Sequence, residues 1–288
     1  MYKNSAMSIR KPFRAAGARL KKPFDTTRFF NAARHGHIGT LKEFLEKYDD
    51  AVDWTHAGRT ALFIAIERGN YMAVDVLLRH GAEPDDRVAI ADMRPLHAAA
   101  KIDRADIAGL LLHRLAHVDG TRTGNITPLM DAVRNDGTKT AKVLLRFGAS
   151  TEKMNDDGDA VLHIAAATNH PACVLLLLDS GARIDAPNKN GQTPLMIAAA
   201  HGGLDAARLL LARGADQHLV NHEGESALDI ALRNADPEFA EGFKNLIDAR
   251  NRKDALTMGI PFTEGTERQV SVSKPLKLRR GKARRPRP

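Results

Sequence analysis

Twelve histidines, a single cysteine and several paired acids are the residues of this sequence whose chemistry could support catalysis or metal binding. His35 and His37 are spaced to bind one metal ion together, but no cysteine or acidic cluster accompanies them at ligand spacing. Cys173 lies beside a run of leucines without a neighbouring base, which predicts a buried and inert thiol. We therefore expect no metal and no other cofactor.

The acid pairs Asp85-Asp86 and Asp156-Asp157 would need a sheltered pocket and shifted pKa values to act as general acids or bases. Both pairs stand next to Pro, Asn or Gly residues, which favours solvated turns. The chain also contains no phosphate-binding loop, dinucleotide-binding fingerprint or nucleophile elbow. These observations predict that the protein is not an enzyme, and we assign no catalytic residue.

An internal repeat of 33 residues organises the chain and positions these side chains. Its marker is a leucine that recurs at Leu62, Leu96, Leu129, Leu162, Leu195 and Leu228. The first spacing is 34 residues and the other four are 33. Each marker belongs to a segment of small and apolar residues, followed by a short break and a leucine-rich segment, which predicts two helices per unit. Such a unit cannot bury its apolar face alone, so its neighbours must complete the core.

The chain resembles the ankyrin-repeat family, and the resemblance rests on two motifs within this period. Thr127-Pro128-Leu129 and Thr193-Pro194-Leu195 match the family's Thr-Pro-Leu box. Glycine-alanine pairs follow the second helices at Gly81-Ala82, Gly148-Ala149, Gly181-Ala182 and Gly214-Ala215. The resemblance implies an all-α ankyrin-repeat solenoid of stacked helix–turn–helix units with projecting β-turns, here called fingers. It also implies a role in protein–protein interaction.

About seven units fit residues 26–250. Their approximate ranges are 26–57, 58–91, 92–124, 125–157, 158–190, 191–223 and 224–250. The flanking residues 1–25 and 251–288 are basic, and we expect both segments to be disordered.

Two positions in each unit hold Gly, Asn or Asp, the residues that best tolerate a left-handed backbone. The turn between the paired helices has Gly36, Gly69, Asp103, Asp136, Asn169 and Gly202. The finger turn has Gly58, Asp92, Asn125, Gly158, Gly191 and Gly224. Leu115 replaces the glycine that ends the second helix of other units, so we expect the finger at residues 116–126 to deviate most.

The sequence departs from the family's Thr-Pro-Leu-His box, in which Thr and His hydrogen-bond across the turn. Thr60, Thr127 and Thr193 lack the histidine, whereas His97 and His163 lack the threonine. We expect this network to be weaker here, and both histidines to have a structural role in the core or the turn.

The resemblance implies partner binding through variable finger positions and the exposed, concave edge of the first helices. The candidate partner-binding residues are Arg59, Arg68, Ile90, Met93, Lys101, Ile102, Ile126, Arg134, Asp157, Asp159, Lys189, Gln192 and His201. The finger that contains Ile90 and Met93 is one residue longer than the others, and we expect it to expose both as a first candidate hot spot. We expect a protein partner and a monomeric chain.

Basic residues concentrate at the two ends of the chain. Residues 1–28 hold eight Lys and Arg against one acid, and residues 251–288 hold eleven against three. Residues 29–250 are acidic, with 24 basic and 31 acidic side chains. Residues 1–28 and 274–288 could contact nucleic acid or an anionic membrane, direct nuclear import in a eukaryotic cell, or simply keep the chain soluble.

The single cysteine and the lack of a secretory-type apolar segment predict a cytoplasmic location, with the nucleus possible in a eukaryotic cell. No apolar run approaches the roughly 20 residues of a membrane helix. The main alternative to a protein-binding scaffold is an adaptor that contacts nucleic acid or anionic membranes through its basic tails. A secreted bacterial effector is a further alternative, suggested only by the family.

Overall fold

A computed structural model describes residues 23–88, 92–233 and 236–257 of the chain. These residues form seven successive helix pairs. The helices are α1 (Pro23–His35), α2 (Ile38–Lys47), α3 (Ala61–Glu67), α4 (Tyr71–Arg79), α5 (Pro95–Lys101), α6 (Ala105–His113), α7 (Pro128–Arg134), α8 (Thr138–Arg146), α9 (Val161–Ala167), α10 (Pro171–Asp179), α11 (Pro194–His201), α12 (Leu204–Ala212), α13 (Ala227–Arg233) and α14 (Pro237–Thr257). In the first finger, the 3-10 helix Ala51–Asp53 precedes antiparallel strands β1 (Thr55–His56) and β2 (Arg59–Thr60). The predicted all-α solenoid is confirmed.

The helices stack in two layers. The first helix of each pair packs on the first helices of the neighbouring pairs, from α1 through α13. The second helices pack on one another in the same way from α2 through α12. The chain divides into two compact units at Ile247 and Asp248, and the helix pairs lie in the first unit, while the end of α14 belongs to the second.

Small side chains and leucines divide the core between the two layers. The marker leucines from Leu62 to Leu195 are buried in the first layer, where alanines such as Ala99 and Ala165 let neighbouring helices approach closely. The second layer contributes the fully buried leucines Leu77, Leu111, Leu144, Leu177 and Leu210. The repeat period therefore places one leucine from each helix of a unit into a continuous core.

The predicted left-handed positions are confirmed in both kinds of turn. In the turn between paired helices φ lies between 50° and 74°, and in the finger turn between 49° and 81°. Leu115 has φ 68° and an 85% exposed side chain, so it adopts the backbone of the glycines it replaces. The missing glycine therefore does not redirect the third finger. This finger differs from the others by an ion pair between Arg122 and Asp131.

The described helices begin and end slightly outside the range expected for the repeats. Helix α1 starts at Pro23, three residues before residue 26, and α14 continues to Thr257. Residues 251–257, expected to belong to a disordered tail, are therefore helical. Most of both basic segments, residues 1–22 and 258–288, lies outside the described residues. None of the described helices combines the length and apolar character needed to cross a membrane.

Candidate functional site

In the second to seventh units, two positions at the ends of the first helices define what we call the first-helix strip. One is the finger residue three before the marker leucine, and the other is the helix residue five after it. The pairs are Arg59 and Glu67, Met93 and Lys101, Ile126 and Arg134, Asp159 and Ala167, Gln192 and Ala200, and Glu225 and Arg233. The two end pairs are ion pairs, with N–O distances of 2.9 Å for Arg59–Glu67 and 2.5 Å for Glu225–Arg233.

The middle of the first-helix strip lacks this neutralisation. Lys101 and Arg134 end helices α5 and α7 and are exposed, and neither forms an ion pair or side-chain hydrogen bond with the described part of the chain. The finger positions of the same two units hold Met93, which is half-buried against the core, and Ile126, which is buried in it. In the fifth unit the two positions hold Asp159 and Ala167; the Asp159 carboxylate accepts a hydrogen bond from Asn188 Nδ2, at 2.8 Å, and forms no ion pair with the described residues.

The structure separates the candidate residues by exposure. Those that are exposed are Arg68, Lys101, Ile102, Arg134, Asp157, Lys189 and His201, whereas Arg59, Met93, Asp159 and Gln192 are half-buried. Ile90 lies outside the described residues. The expectation of an exposed Met93 is corrected, because its side chain packs against the core beneath the second finger.

Ile126 is the clearest correction. Its side chain is only 7% exposed and belongs to the hydrophobic core, so a partner cannot reach it in this structure. Its carbonyl oxygen lies 3.0 Å from Nε2 of His97 in the preceding unit. Ile126 thus packs in the core and links the third and fourth units through its carbonyl, and its side chain is not an exposed finger residue.

The threonines and histidines at the Thr-Pro-Leu-His box positions occur in different units and form different hydrogen bonds. The Oγ1 atoms of Thr60, Thr127 and Thr193 each accept a hydrogen bond from the third backbone N–H of their helix, at 3.2 to 3.4 Å. His163 accepts from the N–H of Ala160 and donates through Nε2 to the Gln192 carbonyl, at 3.1 Å. Threonine therefore caps its own helix, whereas histidine links one unit to the next finger.

Comparison with known proteins agrees with this repeat geometry. The family model described as "Ankyrin repeats (3 copies)" matches residues 8–88, 96–188, 129–221 and 162–254. The chain belongs to the ankyrin-repeat family. The ankyrin repeat domain of Bcl-3, a member of the IkappaB protein family, has a TM-score of 0.66 at 21% identity, covering 75% of this chain and 97% of that one. This likeness shows the fold.

Curated relatives match the ankyrin repeats over part of their length. The human transient receptor potential cation channel subfamily A member 1 is 29% identical over 54% of this chain and 14% of its own. The mouse nuclear factor NF-kappa-B p105 subunit is 32% identical over 41% and 13%, and an ankyrin repeat protein of fowlpox virus (strain NVSL) is 32% identical over 38% and 33%. The chain thus spans a third or less of the length of each of these relatives.

The third ankyrin finger contains an ion pair that the sequence interpretation missed. Arg122 Nε and Nη2 donate to the two carboxylate oxygens of Asp131, at 2.8 and 2.7 Å, and Asp131 is 3% exposed. The Asp131 carboxylate raises the pKa of Arg122. The fifth, sixth and seventh units hold asparagine and isoleucine at these two positions, as in Asn155 and Ile164. The signal available in the sequence was that Arg122 and Asp131 both depart from the residues of these later units.

A series of four acids, here called the acid ladder, joins successive ankyrin fingers by hydrogen bonds. Each acid accepts a hydrogen bond from a backbone N–H of the next finger. The distances are 3.0 Å for Asp85 to His117, 3.1 Å for Asp119 to Ser150, 3.2 Å for Glu152 to Arg183 and 3.0 Å for Asp185 to Asp216. These acids stabilise the array, so Asp85 of the first acid pair has a structural role.

The residues with potential metal or thiol chemistry are not assembled into a reactive site. Within residues 23–88, 92–233 and 236–257, no three His, Cys, Asp or Glu side chains are grouped as metal ligands. Cys173 is buried as predicted, with Sγ 3.8 Å from Asp136 Oδ1, and burial raises the pKa of its thiol. Burial likewise lowers the pKa of His97 and His163. Burial thus favours the neutral thiol, which is less nucleophilic than the thiolate, and the neutral imidazole of both histidines.

Proposed function

We propose that this ankyrin-repeat array is a non-enzymatic scaffold that binds a partner protein through the first-helix strip and the neighbouring finger residues. The observation that carries the proposal is the pair of exposed cations, Lys101 and Arg134, without counter-charges in the described residues. Ankyrin repeats are in general protein-interaction modules, which supports the same conclusion.

The cations are not a requirement of the fold. A basic residue near a helix C-terminus does interact favourably with the helix dipole. The fifth and sixth units nevertheless hold Ala167 and Ala200 at the same position, and their helices α9 and α11 pack in the same layer. A charge that some units omit without loss of structure is free to serve recognition.

Site-specific crosslinking tests the proposal. A photoreactive benzoylphenylalanine at Ile102, which is 40% exposed beside Lys101, should form protein adducts in the cell that makes this chain. The matched control is the same group at Met72, which is 59% exposed on α4 in the second-helix layer. Adducts that are equal at the two positions, or found only at Met72, would refute binding through the first-helix strip.

Contact with a polyanion through the basic ends is a second candidate function. Residues 274–288 hold eight Lys and Arg and no acid, a composition suited to nucleic acid or an anionic membrane surface. Removing residues 274–288 should then abolish binding to DNA or phosphatidylserine vesicles, and binding of the full chain should weaken steeply with salt. Retained, salt-insensitive binding would reject this candidate.

A cytoplasmic location and a monomeric state complete the proposal. Fluorescence imaging of the tagged full chain tests the first, with nuclear accumulation in a eukaryotic cell as the alternative. Sedimentation equilibrium tests the second, and a mass above the 31.4 kDa of one chain would reject a monomer.

A further inference from the structure

We propose that the middle of the first-helix strip binds a protein segment that places acidic side chains over Lys101 and Arg134 and a basic side chain over Asp159. The inference rests on the proposed protein-binding function and specifies the chemistry of the partner.

The second and seventh units of the first-helix strip differ from the units between them in how their charges are paired. In the second and seventh units the two strip positions carry opposite charges and pair within the unit, at 2.9 and 2.5 Å. Their order is reversed, since the finger position is Arg59 in one unit and Glu225 in the other. Charge at either position is therefore compatible with the fold, and in the second and seventh units it is neutralised within the unit.

The third, fourth and fifth units carry charge without that neutralisation. The finger positions of the units that hold Lys101 and Arg134 are apolar, Met93 and Ile126, and the helix position of the unit that holds Asp159 is Ala167. The nearest acids in sequence, Asp103 and Asp136, are turned toward the second helices of the following units. Asp103 Oδ1 accepts from the Thr140 N–H at 2.9 Å, and Asp136 Oδ1 lies 3.8 Å from Cys173 Sγ.

The nearby carboxylate of Asp131 is already bound by Arg122. Asp131 lies three residues before Arg134, but both of its oxygens are occupied by Arg122. Its backbone carbonyl accepts a hydrogen bond from Asn135 Nδ2, at 2.8 Å. The described residues thus supply Lys101 and Arg134 with no ion-pair partner, which leaves both cations available to acidic side chains of a partner.

The order of these charges distinguishes a protein segment from a uniform polyanion. Two cations are followed by an anion, so a phosphate backbone or an anionic lipid surface would meet repulsion at Asp159. A peptide can alternate its charges to match. Packed helices lie roughly 8–10 Å apart, and an extended chain rises about 3.3 Å per residue, so one unit corresponds to about three residues. The matching segment carries acids at positions i and i+3 and a base near i+6.

Ile102 adds an apolar contact to this pattern. It is 40% exposed, follows Lys101 directly in the chain and occupies the repeat position that Arg68 holds in the second unit. An apolar side chain next to the first acid of the segment would cover it. Charge pairs beside a covered apolar contact are less hydrated than pairs at an open rim, and they gain strength accordingly.

A phage-displayed library of random 16-residue peptides, selected on the full-length protein, tests the inference. Enriched peptides should share acids three residues apart followed by a base about three residues later. The Lys101→Glu, Arg134→Glu double variant should bind these peptides at least about tenfold more weakly. The matched control, Lys139→Glu with Lys142→Glu, makes the same net-charge change on exposed residues of α8 in the second-helix layer and should bind them unchanged.

Each outcome supports or overturns the inference. Peptides without the acidic pattern, peptides that bind the double variant unchanged, or no enriched peptide at all would overturn it. Single-stranded DNA or phosphatidylserine vesicles that bind the strip more tightly than the peptides, and lose binding in the double variant, would also overturn it. If protein crosslinks form at Ile102 but the selected peptides bind the double variant unchanged, the inferred charge pattern is rejected and the proposed protein-binding function stands. If those crosslinks are absent as well, the proposed function fails.

Discussion

Replacing Arg122 with alanine is expected to destabilise the array by about 3 kcal/mol. Asp131 is 3% exposed and receives two hydrogen bonds from Arg122, at 2.8 and 2.7 Å. Without Arg122 the carboxylate remains buried and loses the ion pair that it forms with the described residues. An unpaired buried charge costs several kcal/mol, because the protein interior replaces little of the lost hydration.

The double variant Arg122→Asn with Asp131→Ile should recover this loss. It installs the residues that the fifth unit uses, where Asn155 Oδ1 accepts two finger N–H groups at 3.0 and 2.8 Å and Ile164 is buried. Exchanging a buried ion pair for fitting apolar residues is often neutral or stabilising, by up to about 4 kcal/mol. Asp131→Ile alone should cost less than Arg122→Ala, because the Arg122 side chain is 19% exposed and can turn its guanidinium toward water.

Urea unfolding at pH 7, followed by far-ultraviolet circular dichroism, measures these differences. Because a repeat array need not unfold in one step, amide hydrogen exchange in α7 should be measured with it to locate the effect. The double-mutant cycle should give a coupling energy of at least about 2 kcal/mol. A cost below about 1 kcal/mol for Arg122→Ala, or a double variant no more stable than its worse single variant, would refute the reasoning.

Three further predictions concern other positions of the array. Leu115→Gly should raise the free energy of unfolding by about 1 kcal/mol, because it relieves a left-handed backbone at an exposed residue, and a lower urea midpoint would contradict this. Leu210→Asp should abolish exchange protection in α12, since it buries an unpaired charge in place of a fully buried leucine, whereas an unchanged melting midpoint would contradict the repeat register. Burial lowers the pKa of His97 and His163 in the folded state, so the unfolded chain binds more protons in mildly acidic solution. The stability that the two neutral rings confer is complete above the unfolded pKa of about 6.5 and is lost as pH falls through their folded values. Thermal melts between pH 7.5 and 5 should therefore show a falling melting temperature. His163→Asn should reduce this fall, and His201→Asn should not.

Features that repeat with the period could be predicted from the sequence, because each copy repeats the same local requirement. Asp103, Asp136 and Asn169 take the place of glycine in the turn between paired helices, and all three adopt the positive φ that this turn requires. Leu77 and its equivalents are buried for the same reason. The acid ladder was equally periodic, with Asp119, Glu152 and Asp185 spaced by 33 residues, and only its unremarkable chemistry concealed it.

Features that depend on one unit's neighbours could not be predicted in this way. Ile126 occupies a finger position that holds Arg59 and Asp159 in other units, so its position alone suggested exposure. Its burial follows from the core beneath the third finger and from the bond between its carbonyl and His97. Arg122 and Asp131 lie nine residues apart on different elements, and only the folded finger brings their side chains together.

The same comparison between units separates charges that hold the array together from charges available to a partner. Where the fold uses a carboxylate, as at Asp119 or Asp131, the structure shows its donor within 3.1 Å. Lys101 and Arg134 have no such partner in the described residues, and alanine serves at their position in two later units. Surface substitutions away from structural contacts usually change stability by less than about 0.5 kcal/mol, so a unit can gain or lose these cations at little cost to the fold. The first-helix strip can therefore acquire a binding pattern of its own on a scaffold whose stability is fixed by other residues.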